Sequence, residues 1–130
     1  NNLLGNVRTI TSVGPDMEDS LRHADAHTVA IGFSFPRYTV KTKEALTYLR
    51  QKNATIAVIT DSIRSPLMAL ADFTFLTNIQ SYTTVDSHVA SMALINAIIA
   101  AISFQVKERI VQNLKVLENY YAERPIFLEK

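Results

Sequence analysis

Short runs of β-branched and aromatic residues alternate with amphipathic stretches along the first part of the chain. Val7–Thr11 (VRTIT), Thr28–Phe33 (TVAIGF), Thr55–Thr60 (TIAVIT) and Phe73–Leu76 (FTFL) read as strands. The second and third are almost continuously apolar, the pattern of strands covered on both faces. Between them lie helix signals. Asp16 follows Pro15 and is placed to cap a short helix running to about Ala24. From Val40 to Lys52, Ala45, Leu46 and Leu49 recur at helical spacing, with lysines and Arg50 on the other side. Ser65-Pro66 pairs a capping serine with a proline at a first helical position, where its missing N–H costs nothing. The alternation predicts an α/β domain with a parallel sheet of about four strands flanked by helices.

The last third changes character. From Val89 to Val106 only Ser91, Asn96, Ser103 and Gln105 interrupt an apolar run. The run is slightly short for a membrane span, and Asn96 sits in its middle. A soluble helix buried on most sides, in a core or an oligomer interface, fits better. Val106, Ile110, Leu114, Leu117 and Tyr121 then form one stripe, which predicts a second, amphipathic helix ending before Pro125. The expected organisation is one domain over 1–130, with an α/β sheet region at 6–85. Long apolar C-terminal helices at 86–122 would form a dimer interface.

Composition narrows the function. The 130 residues are 48% hydrophobic and 19% charged, enough apolar surface for a core. Thirteen basic and twelve acidic residues leave a net charge of +1, without the surplus that grips a nucleic-acid backbone. No cysteine is present, which excludes disulfides, zinc–thiolate sites and thiol nucleophiles and makes a reducing cytoplasm the default. Three glycines, Gly5, Gly14 and Gly32, cannot write a dinucleotide fingerprint or a P-loop.

Ligands of open parallel sheets bind beyond the carboxyl ends of the strands. The segment after the second run, Ser34-Phe35-Pro36-Arg37-Tyr38-Thr39-Val40-Lys41-Thr42, is therefore the first candidate. It combines the hydroxyls of Ser34, Thr39 and Thr42 with the Arg37 guanidinium and the free amides of a helix N-terminus. Such amides and the helix dipole favour a phosphate, and Arg37 adds a charge-assisted donor. The same segment also fits an ordinary strand-to-helix loop, with Thr39 as cap and Arg37 in solvent. Arg37, Lys41, Lys43, Arg50 and Lys52 against Glu44 give it a basic surplus suited to a phosphorylated ligand. Asp61 and Ser62 follow the third run and either meet a sugar hydroxyl or form a turn on their own backbone. Asp86 and Ser87 suit helix capping, with pocket lining by Ser87 or His88 as the alternative.

The strings AIGFSFPRYTVKT, AVITDS, SPLMALAD and DSHVASMALINAI resemble the sugar isomerase (SIS) domain, and more narrowly the effector domain of RpiR-type phosphosugar-responsive transcription regulators. The similarity runs from about Asn6 to Gln105. Loops of that family commonly read S-x-S-G-x-T-x-x-T after this strand, with hydroxyls that hold the sugar phosphate. Ser34, Thr39 and Thr42 keep three of those hydroxyls; Pro36 replaces the second serine and Arg37 the glycine. The resemblance implies an SIS-like, Rossmann-type sandwich, truncated before its first strand and phosphate loop. It also implies a phosphorylated sugar or amino sugar as ligand, self-association as a dimer or tetramer, and DNA contact only through a separate N-terminal helix-turn-helix domain.

Other constellations carry less. His23 and His27 are four apart, a spacing that shares a metal on a helix, but no third ligand is evident. Asp86-Ser87-His88 has triad residue types that, as direct neighbours, lack triad geometry. The sequence thus predicts a phosphosugar sensor, not an enzyme, that needs no cofactor, metal or membrane. The phosphate would lie at 34–42, with Asp61, Ser62, Ser87 and His88 around the sugar. A sugar-phosphate isomerase, with His88 as its one plausible base, is the alternative; a pure association module is a third.

Overall fold

The computed structural model describes residues 6–11, 15–107, 111 and 115. Its elements run α1 (Pro15–Leu21), β1 (Val29–Phe33), α2 (Val40–Gln51), β2 (Thr55–Thr60), a single 3-10 turn (Met68–Leu70), β3 (Phe73–Leu76) and α3 (Val89–Gln105). Two compact units divide the chain, one of Ile10–Ala93 and one of Asn1–Thr9 with Leu94–Lys130.

Three parallel strands in the order β1-β2-β3 form the sheet of the first unit. Val29 pairs with Thr55 through Phe33 with Ile59, and Ala57 pairs with Phe73 through Thr60 with Leu76. All three carboxyl ends therefore share one edge. β2 and β3 match the predicted runs, and β1 begins one residue late. Val7–Thr11 is not a strand: these residues are exposed and join no ladder of the sheet.

The core lies between the sheet and its helices. Leu46 and Leu49 of α2 pack with Ile56, Val58 and Leu67, joined by Met17 and Leu21 of α1. Full burial of each such side chain stabilises by roughly 1.5–3 kcal/mol. Gly32 admits α2 closely, since a Cβ there would stand 2.9 Å from Leu46 Cδ1. β2 is buried from Ile56 to Thr60, as expected of a central strand. β1 corrects that expectation: Val29, Ile31 and Phe33 point to one face and are exposed, while Gly32 between them packs against Leu46 on the other.

α2 ends in a Schellman motif. Asn53, at φ 58°, donates its N–H to Arg50 O, and Ala54 donates to Leu49 O. Arg50 donates through Nη1 to Asp72 Oδ1 at 2.9 Å and through Nη2 to Leu70 O, while Asp72 Oδ2 accepts from Ile56 N–H at 2.7 Å. That backbone bond, reinforced by Arg50, holds the Asp72 carboxyl below the usual aspartate range. Arg50 thus ties down the amino ends of β2 and β3, the edge opposite the candidate site, and is not part of a ligand-facing basic surplus.

Helix boundaries differ in detail. α1 starts at Pro15, so Asp16 lies inside it, and it stops at Leu21 before His23. Ser65-Pro66 initiates only the 3-10 turn, with Ser65 Oγ accepting from Leu67 N–H. Long apolar C-terminal helices, in the plural, are not borne out. α3 is described, but Ser91 is its one buried residue, and Val89, Met92, Ile99, Ile102 and Phe104 are exposed. Most of the second predicted helix lies outside the described residues.

Candidate functional site

Three connections leave the carboxyl edge of the sheet, and a hydrogen bond and a ring contact join them. Directly after β1, Ser34 donates its N–H to Ile59 O, which extends the ladder by one bond. The residue is buried (6% exposed), yet its hydroxyl has no hydrogen bond to a described residue. No fully enclosed polar side-chain atom lacks a partner among the described residues, so this hydroxyl opens to the surface.

The chain then bends through Pro36 and Arg37 into α2. Thr39 is the N-cap, in extended conformation, and its Oγ1 accepts from Thr42 N–H at 3.4 Å. The Thr39 and Thr42 hydroxyls share a 2.6 Å hydrogen bond. Two hydroxyls carry two protons and one lies in that bond, which leaves one to donate outward. Lys43 N–H returns to Thr39 O, whereas the N–H groups of Val40 and Lys41 have no partner among the described residues. These are the orphan donors of a helix start, at the positive end of its dipole. Lys41 pairs with Glu44 at 2.9 Å, and that hydrogen-bonded carboxylate raises the ammonium above its usual value. Glu44 is thereby engaged at the surface.

The second connection supplies Asp61. Tyr38 Oη donates to Asp61 Oδ1 at 2.9 Å, and Thr60 Oγ1 donates to the same oxygen at 3.3 Å. The hydrogen bond to Asp61 raises the Tyr38 phenol above the usual tyrosine value, with partial desolvation and the nearby negative charge adding to it. Ser62 turns inward on its own loop, its Oγ accepting from Arg64 N–H; the turn reading holds for that side chain. At the third connection, Thr77 and Ser91 share a buried 2.8 Å bond that fastens the end of β3 to the first turn of α3.

His88 immediately precedes α3 and accepts through its carbonyl from Met92 N–H, so neither Asp86 nor Ser87 occupies the cap position. Its ring lies 4.7 Å from that of Phe35, tilted by 57°. The fold therefore brings Ser34, Thr39, Thr42, Asp61 and His88 to linked loops. Ser87 is fixed through its backbone N–H to Ile79 O. Tyr38, which makes the link to Asp61, was missed by counting only serine and threonine hydroxyls, and its phenol is the donor that count omitted; Phe35 makes the link to His88 through its ring. His23 accepts from Arg22 Nε beyond the end of α1, so the two histidines do not share a helix face. Among the described residues no three metal-ligating side chains gather. No helix there is long and apolar enough to cross a membrane.

The family model of the SIS domain matches residues 3–101. The chain belongs to the SIS domain family. Its fold is similar to that of the RpiR transcription factor from Sphaerobacter thermophilus (sugar isomerase domain), solved as a crystal structure, at 24% identity and a TM-score of 0.78. The match covers 85% of this chain and 62% of that one, so the chain spans less than two thirds of that structure's length. No curated protein matches the chain. In this SIS domain, position 37 is where the loop pattern of the family has glycine. Arg37 takes a φ of 74°, the left-handed region that favours glycine.

Proposed function

We propose that this SIS domain is the phosphosugar-sensing effector module of an RpiR-type transcription regulator. The observation that carries the reading is the pair of unpartnered amides, Val40 and Lys41, at the start of α2, beside a loop whose Ser34 hydroxyl is also open. A phosphate supplies acceptors to all three, and the Arg37 guanidinium and the spare Thr39/Thr42 proton add to them. Asp61, with Ser87 and His88 at the rim, faces the sugar, which is a hexose or amino-sugar phosphate. Ser62, bound into its own turn, contributes its backbone position only.

Glu44 pairs with Lys41 and Asp61 Oδ1 accepts from two hydroxyl donors, which supports a sensor. The isomerase alternative rests on His88, whose ring packs on Phe35, and turnover of a sugar phosphate that is lost in His88→Ala would favour it. The exposed apolar side chains of α3 form a self-association surface that carries the ligand signal to DNA-binding domains outside this chain, in the cytoplasm. Calorimetric titration of the full-length protein with glucose 6-phosphate, fructose 6-phosphate and glucosamine 6-phosphate tests the site. A hydrogen bond to a charged group contributes about 1.5–3 kcal/mol, so Ser34→Ala weakens binding about 10- to 150-fold. Affinity within twofold of wild type refutes the site.

A further inference from the structure

We infer that Tyr38 is a positioning residue that turns Asp61 into a selectivity element, one that accepts a sugar hydroxyl and rejects a free phosphate. The inference rests on the phosphosugar reading above and adds to it a residue and a basis for discrimination.

Both donors to Asp61 reach the same oxygen. Tyr38 Oη and Thr60 Oγ1 stand 2.9 and 3.3 Å from Oδ1, and Oδ2 has no partner among the described residues. Thr60 is fully buried and fixed in the central strand, whereas Tyr38 belongs to the loop after β1. The Tyr38 bond spans 23 residues and ties the loop that carries the phosphate donors to the loop after β2. Pinned through Oδ1, the carboxylate presents Oδ2 as a fixed acceptor.

An ionised carboxylate has no proton to give. It accepts from a sugar hydroxyl and repels a phosphate dianion. Placed on a loop tied to a set of anion donors, it makes occupation by phosphate alone unfavourable and occupation by a phosphate carrying a polyol favourable. Selectivity then comes from a repulsive element as well as an attractive one. The hydroxyl of Tyr38 holds that carboxylate through Oδ1 and so fixes the direction in which Oδ2 faces.

Full-length wild type, Tyr38→Phe, Asp61→Asn and the double variant are titrated with inorganic phosphate and with the three sugar phosphates named above. In Tyr38→Phe the ring is kept and one donor is lost; the ratio of sugar-phosphate to inorganic-phosphate affinity is expected to fall about tenfold. In Asp61→Asn inorganic phosphate binds more tightly than to wild type. In the Asp61→Asn background the Tyr38→Phe change has no further effect on the ratio, a coupling that general loosening of the loop would not produce. If wild type binds a sugar phosphate and Tyr38→Phe leaves the ratio within twofold, the role of Tyr38 is overturned and the phosphosugar reading stands. If wild type binds none of the sugar phosphates, both fall.

Discussion

Replacing Arg37 by glycine and, separately, by alanine divides two properties of one residue. Both variants remove the guanidinium, but only glycine relieves the backbone at φ 74°. Holding a residue with a Cβ in the left-handed region costs about 1–2 kcal/mol. Glycine gives back roughly 0.4–1 kcal/mol of that through the greater entropy of the unfolded chain. The difference leaves Arg37→Gly more stable than Arg37→Ala by about 1 kcal/mol. For a domain of this length that corresponds to a Tm higher by roughly 3–5 °C. Asn53, at φ 58°, gives the internal contrast, since asparagine tolerates this region at a helix C-terminus and Arg37 has no such help. Thermal unfolding by circular dichroism reads the stability difference, and titration with the sugar phosphates reads the guanidinium. Both variants should lose about tenfold or more in affinity, and by equal amounts. Melting temperatures within about 1 °C of each other refute the strain, and unchanged affinity in both refutes the guanidinium contact.

Two further outcomes follow from the packing and from the sheet's other edge. Gly32→Val forces side-chain carbons into Leu46, already 2.9 Å from where a Cβ would stand, and should destabilise by about 1–3 kcal/mol, read as a lower urea midpoint with an unchanged slope. Asp72 has a folded pKa below its unfolded value, so its contribution is present above the unfolded value near 3.9 and is lost as pH falls through the folded one. Asp72→Asn should therefore flatten the stability profile on the acid side of pH 4 and lower the Tm at pH 7; an unchanged acid limb refutes the assignment.

Much of the fold was legible because the strongest signals were local. β2 and β3 were bounded to the residue, and α2 to one residue, because β-branched runs and a helical apolar stripe coincide there with a cap and a Schellman turn. Where a property belongs to a partner, sequence was blind to it. Val7–Thr11 carries a strand pattern but is not one of the three strands of the described sheet. Arg50 counts toward a basic surplus in the sequence, yet in the fold it is held by Asp72 at the far edge of the sheet. The link from Tyr38 to Asp61 crosses 23 positions, and no spacing rule connects them.

The candidate site shows the same division at a finer scale. Set against the family's loop, Pro36 and Arg37 look like two losses, a hydroxyl and a glycine. The backbone shows that only one of them is a loss. A left-handed residue at 37 still bends the loop into α2, where Thr39 caps the helix and the amides of Val40 and Lys41 stay open. The left-handed turn that leads into α2 is thus held by the backbone with an arginine in place, at a cost of about 1–2 kcal/mol. A strain of that size persists only where the surrounding structure holds it, and here the Tyr38–Asp61 bond fixes the next residue in the chain. The guanidinium is then an addition to the loop and not a substitute for the missing hydroxyl. That is why the glycine and alanine variants should part in stability and agree in affinity.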